Sequence, residues 1–472
     1  MGSARHSVRS RSTRPLRALL GAAALAAVVT APLAPVLDVV PGSVSAAPPA
    51  DTLGAGGEYH PLTPARVYDS RAATAVNEPA PGPKSATPSQ PTFDINLLGA
   101  GGIPDRPADV LAVVVNITVT EPTAAGWLNA YGAGANGGLA SIVNFAANQT
   151  VPNLAIVRPG SPSGDLTIKL FTQNASATAH VVVDVFGWFS TSSNADHGAR
   201  LVPIAPGRIL DTRDGAGALG RAQSIELQVR GATLNTGQTI EAGSDIVGVV
   251  LNLTGINTQA DSIGTFLSVV PELPPGAIPT TSNVNLARGQ IKPNMVIVPI
   301  GADGKIRIYN HAGEVHLAVD VAGYLTTTAP NGSARAGRVV PLTTPYRVFD
   351  TREAQWGAVA LGPGQAEDWS FAEFVNSVKI GADWVGPQDA VIGNLTSAEL
   401  KRQYATVPVQ SFLTVYPSDA ARPTASNLNT TEGTPVPNLA IMKYGANSTV
   451  RVFNLSGFTH YLYDASAVVL SD

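Results

Sequence analysis

The fold is decided by the stretch Val113–Phe189, which contains VVVNITVT (113–120), SIVNFAANQTVPNLAIVRPG (141–160) and HVVVDVFGWF (180–189). The same succession returns as VVLNLT (249–254), SNVNLARGQIKPNMVIVPIG (282–301) and HLAVDVAGYL (316–325). It returns again as VIGNLT (391–396), SNLNTTEGTPVPNLAIMKYG (426–445) and HYLYDASAVV (460–469). Each copy is preceded by a short phrase, PARVYDSR, PGRILDTR or PYRVFDTR, whose aspartates Asp69, Asp211 and Asp350 are spaced by 142 and 139 residues. Solenoid and propeller repeats run to about 20–50 residues, so a period this long means whole domains in tandem.

Within a copy the apolar runs are short, β-branched and bounded by Gly, Pro or Asn, which is strand chemistry. Val113, Val115, Ile117 and Val119 alternate with Val114, Asn116, Thr118 and Thr120, giving one apolar face and one mixed face. The sequence therefore predicts an all-β protein of three tandem β-sandwich, jelly-roll-like domains spanning 61–190, 201–325 and 339–472. Short polar linkers, TSSNADHGAR (191–200) and TTTAPNGSARAGR (326–338), are expected to let the domains move. Residues 47–60 read as a flexible leader, and 72–90 as a loop inserted in the first copy. The third copy diverges: 365–380 has helix-like content, 397–404 suggests a helical turn, and Ala467 and Val468 replace the Gly-Trp and Gly-Tyr of the other copies.

Charged residues make up 14% of the 472, against a usual share of about 25%. With 46 Gly and 37 Pro, this favours turns over charged helical surfaces. The absence of cysteine excludes disulfides, thiol catalysis and cysteine-bound zinc. Residues 1–46 read as a secretory signal: Arg5, Arg9, Arg11, Arg14 and Arg17, then an apolar run over 18–31, then Val44-Ser45-Ala46. Its removal takes away five arginines and Asp38, moving the net charge from −4 to −8. Such acidity argues against nucleic acid as a partner, and no later apolar run approaches the ~20 residues of a membrane span. The expected location is extracellular, released or held non-covalently at the cell surface.

The pairs Asp69/Arg71, Asp211/Arg213 and Asp350/Arg352 stand two apart, so both side chains share a face of an extended strand. They read as ion pairs at each domain's entrance, or as ligand-binding pairs on an exposed edge. Trp127, Trp188 and Tyr324 are candidates for stacking on sugar rings, the last two also for closing a core. Asn116, Asn252 and Asn394 lie in Asn-x-Thr frames inside strands and read as structural; Asn144, Asn285, Asn429, Asn153, Asn294 and Asn438 are assigned to turns. Ser141/His180/Asp184 and their repeats have the residue types of a hydrolase triad. A His and an Asp four apart on a strand stand about 13 Å apart, however, and no G-x-S-x-G turn surrounds the serines. The run Asp211-Thr-Arg-Asp214-Gly215 falls short of a calcium loop. No catalytic residue, metal or cofactor is predicted.

The LDTR-like phrase, the Asn-x-Thr strand, the P-N-x-x-I-V strand and the V-D-V-x-G-[YW] closure together resemble a tandem repeat of secreted actinobacterial proteins, over essentially the whole chain after the signal. The resemblance implies an extracellular, β-rich protein and brings no catalytic residues with it. The expected function is non-enzymatic attachment to cell-wall or environmental polysaccharide through repeated weak sites, which gain by avidity. The alternatives are a structural surface or assembly component with protein partners, and a secreted hydrolase whose site lies in loops particular to one copy.

Overall fold

The computed structural model describes residues 38–39 and 56–471, apart from 72–81, 86–91, 139, 161–162, 173, 175, 192–193, 195, 257–258, 260–263, 381–382, 402–408 and 434. The expected export signal lies outside the described residues but for the strand Asp38–Val39. The described chain is all-β. Its first copy has eight main strands: Tyr59–Asp69, Thr92–Asn96, Val110–Thr120, Gly126–Gly132, Val143–Phe145, Val151–Val157, Asp165–Thr172 and Thr178–Ser190. The second copy repeats the series from Arg200–Asp211 to His316–Thr326, and the third from Val339–Asp350 to Phe458–Leu470. In every copy the first, eighth, third and sixth strands form one antiparallel sheet, and the second, seventh, fourth and fifth form another. The six sheets stand in a ring around a shared centre.

Strand alternation explains that centre. Val113, Val115, Ile117 and Val119 point into a core shared by the two sheets of the first copy. The mixed face points the other way, and its Ala112 and Val114 join a central cluster with Leu154, Ile156, Met295, Ile297, Leu439 and Ile441, drawn from all three copies. Burying a large aliphatic side chain contributes roughly 1.5–3 kcal/mol, so those last six together hold the copies with on the order of 10 kcal/mol. The expectation of movable domains is corrected accordingly: a face of Ala, Val and Asn, with no charge, packs against its counterparts rather than against water.

The linkers are part of the same assembly. Ala199 and Tyr59 exchange backbone hydrogen bonds of 2.8 and 2.6 Å, Gly57 and Val339 exchange bonds of 2.8 and 3.0 Å, and the Leu201 N–H donates to the Gly337 carbonyl at 2.8 Å. Residues 57–60 of the expected leader therefore belong to the fold, and 47–55 lie outside the described residues. In the third copy, the helix-like stretch is the strand Ala366–Ser370 followed by the short helix Ala372–Ser377, and the expected helical turn is strand through Lys401. That copy keeps the strand order of the others, and its Ala467 is fully buried in the central cluster. No helix among the described residues is long and apolar enough to cross a membrane.

Candidate functional site: an axial cleft and its rim

Asparagines close the ring of copies. Asn294 Nδ2 donates to Asn116 Oδ1 at 3.0 Å, Asn438 Nδ2 to Asn252 Oδ1 at 2.8 Å, and Asn153 Nδ2 to Asn394 Oδ1 at 2.9 Å. The Leu154, Met295 and Leu439 N–H groups donate to Asn294, Asn438 and Asn153 in turn. Asn116, Asn252 and Asn394 donate to the carbonyls of Ser282, Ser426 and Ser141. The first copy thus engages the second, the second the third, and the third the first. Asn153, Asn294 and Asn438 are buried strand residues, not turn residues. Their amides are needed there because the facing backbone groups of the next copy would otherwise be buried without partners.

The Asp/Arg pairs form, with a third member that the sequence reading omitted. Arg71 meets Asp69 through Nε and Nη2 at 2.9 and 2.7 Å, and Arg66 bridges Asp69 at 3.0 Å to Asp184 at 2.9 Å. Arg208 joins Asp211 to Asp320, and Arg347 joins Asp350 to Asp464, in the same way. Two arginines and two aspartates make each cluster neutral. Arg213 holds Asp211 down at about 2, whereas burial pushes Asp184, Asp320 and Asp464 up against the pull of their arginines. The recurrence of an arginine three residues before each aspartate was the available signal. The Ser/His/Asp sets do not converge: His180 Nδ1 bonds Ser70 at 2.9 Å, Asp184 serves Arg66, and Asn144 reaches Ser141 at 3.2 Å. Among the described residues no group of three or more His, Asp or Glu is placed to hold a metal.

The three aromatic candidates separate. Trp188 is buried and stacked on His60, with centroids 4.2 Å apart, and Tyr324 packs half-buried against the second copy's core. Trp127 instead lies on an outer sheet, stacked on Phe171 at 5.4 Å, and Phe171 is 46% exposed. Phe266 occupies the equivalent register and stacks on His311 at 4.4 Å; Phe412 occupies it in the third copy, beside exposed Leu455. Trp127, Phe266 and Phe412 are the cross-strand partners of Asn144, Asn285 and Asn429. The sequence reading found only Trp127, because the other two are phenylalanines in otherwise ordinary strands.

Those three asparagines border a cleft of about 990 Å³, whose walls include Thr150, Val151, Lys292 and Val436 from the entrances of the three sixth strands. Amides and hydroxyls share the wall about equally with apolar side chains, with Phe412 as its aromatic. Pockets of roughly 300–1,000 Å³ suit small ligands or short oligomers. At the other side of the central cluster, Glu58 accepts from Arg200 at 3.2 Å and Arg338 at 3.0 Å, three equivalent positions of the three copies.

No protein-family model matches the chain, and no curated protein matches it. Among solved structures it is similar to the tandem CBM22-1-CBM22-2 domain of Paenibacillus barcinonensis Xyn10C, with 14% identity over 46% of this chain and 79% of that one, and a TM-score of 0.15. A triple jelly roll protein from the turret of an archaeal virus matches with 10% identity over 87% of this chain and 90% of its own, with a TM-score of 0.16. A chain of Sulfolobus Turreted Icosahedral Virus matches with 10% identity, 88% and 92% coverage, and a TM-score of 0.16.

Proposed function

We propose that this is an exported, non-catalytic protein that attaches to extracellular polysaccharide, each copy being a jelly-roll sandwich of the secreted actinobacterial kind. The strand orders 1-8-3-6 and 2-7-4-5 support the sandwich reading. The observation that carries the function is the aromatic at one register position in all three copies, Trp127, Phe266 and Phe412, each paired across its sheet with an asparagine of the cleft wall, which Phe412 itself also lines. Aromatic faces stack on apolar sugar faces, and amides bond hydroxyls. Three such positions fixed on one rigid frame would bind a polymer by avidity, with no ordering of linkers to oppose it.

The test is retention of the full-length chain on insoluble peptidoglycan, chitin and cellulose, beside Trp127→Ala, Phe266→Ala, Phe412→Ala and the triple variant. Retention that falls stepwise, with the triple variant at least tenfold weaker, supports the reading. No retention of the wild-type chain on any polymer overturns it and directs attention to protein partners.

A further inference from the structure

The cleft wall carries three cations, Arg208, Arg213 and Lys292, and no Asp or Glu among its described residues. Arg208 is neutralised by Asp211 and Asp320, and Arg213 by Asp211. Lys292 has no such partner. Its Nζ crosses from the second copy to donate to the Thr150 carbonyl of the first at 2.8 Å, the one hydrogen bond it makes among the described residues. An ammonium has three donors, so two remain for a ligand. The side chain is only 8% exposed, and the equivalent positions in the other copies are Val151 and Val436. The valines show that the fold does not require a charge there.

Resting on the polysaccharide reading above, we propose that the axial cleft receives an acidic sugar, with its carboxylate or phosphate group against the Lys292 ammonium. Asn144, Asn285 and Asn429 would take hydroxyls around it, and the Phe412 ring an apolar sugar face. A buried cation without a counter-charge is costly and tends to give up its proton; burial lowers Lys292 to about 7. A bound anion supplies the missing charge and restores the proton. Binding therefore takes up a proton above neutrality, and affinity falls by up to about tenfold per pH unit from pH 7 upward. The other charged groups around the cleft are Arg208 and Arg213, whose charge is favoured by Asp320 and Asp211 behind them.

Calorimetric titration of the full-length chain with oligogalacturonate, a polyglycerol phosphate and neutral cello-oligosaccharide tests this, at pH 6.5 and 8.5 and in two buffers of different ionisation enthalpy. The expected result is acidic probes bound at least tenfold more tightly than the neutral one, proton uptake at pH 8.5, and a loss of tenfold or more in Lys292→Met with no fall in its melting temperature. Preference between the galacturonate and phosphate arms identifies the source of the anion. If the wild-type chain binds neutral sugar as tightly as acidic, or Lys292→Met binds the acidic probes undiminished, the inference is overturned and the polysaccharide reading stands. If the wild type binds none of the probes and no insoluble polymer, both fall.

Discussion

Two sets of equivalent positions meet where the three copies join, and they obey opposite rules. Asn116, Asn252 and Asn394, with Asn294, Asn438 and Asn153, are the same residue in every copy. Glu58, Arg200 and Arg338 differ, as do Val151, Lys292 and Val436. The geometry of each contact explains this. Around the asparagine ring each copy gives to one neighbour and receives from the other, a head-to-tail arrangement that closes with identical parts. Glu58, Arg200 and Arg338 converge on one another, and three identical charges there would repel. One copy must supply the opposite sign, which is possible because the copies are joined in one chain and can diverge.

The comparison breaks first, and most severely, at the ring. Asn294→Leu would leave Asn116 Oδ1, the Asn283 carbonyl and the Leu154 N–H without partners. At about 1–3 kcal/mol for each of the three buried unsatisfied groups, the expected loss is roughly 3–9 kcal/mol by denaturant unfolding. Asn153→Leu and Asn438→Leu should match it within about 1 kcal/mol; a neutral result at any one would show that the ring is not equivalent around its circuit.

Next in size is the converging cluster. Removing one member of a buried ion pair costs about 3–5 kcal/mol, and since the arginine side chains are 11% and 17% exposed, Glu58→Gln is expected near the lower end. The sharper test rotates the charge: Glu58→Arg alone is expected to be worse than Glu58→Gln, and adding Arg200→Glu should recover most of the loss. Failure of the double variant to recover would mean that the position of the acid, and not only its presence, is fixed by the first copy.

The repeat, the strands and the Asp/Arg pairs were legible in sequence because each depends on neighbours along the chain. What the sequence concealed depends on where the mixed strand face points. Val114 and Asn116 look like a half-wetted sandwich exterior, and only an uncharged composition hints that the face is covered. Arg66, Arg208 and Arg347 were missed although they recur, because their second partner lies more than 100 residues away in each copy. Glu58 could not be matched to Arg200 and Arg338 before the strand starts were known to converge. Lys292 was missed as well: aligning the copies puts it opposite Val151 and Val436, but only its burial gives that difference meaning.

Lys292→Val makes the second copy resemble its neighbours at this position, and is expected to stabilise. Burial lowers the lysine to about 7, so between pH 7 and its usual value near 10.5 the unfolded chain holds more protons than the folded one. Wild-type stability should accordingly rise with pH through that window, while at and below pH 7 the full penalty applies. The valine variant lacks this slope. A gain of about 2–4 kcal/mol at pH 6.5, shrinking toward pH 9.5, is expected from thermal unfolding at the two pH values. A variant no more stable than wild type at pH 6.5 would mean that the lysine is not desolvated.

The smallest effect belongs to the neutral Arg/Asp clusters, which are shared by all copies yet not identical in environment. Arg213 lowers Asp211 to about 2 from its usual value near 3.8. A depressed carboxyl stabilises the fold above its unfolded value and loses that contribution as pH falls through the folded one, so about 2 kcal/mol should disappear between pH 4 and pH 2. Arg213→Gln removes most of this contribution at neutral pH and flattens the acid limb. At Asp69 and Asp350 burial pushes the carboxyl up while Arg71 and Arg352 hold it below its usual value. Because desolvation offsets more of the arginine's pull in those two copies, Asp69 and Asp350 contribute less to the acid limb, and Asp69→Asn and Asp350→Asn should flatten it less than Asp211→Asn. Equal slopes in all three variants would show that solvent reaches the clusters alike, and that the difference in burial has no energetic consequence.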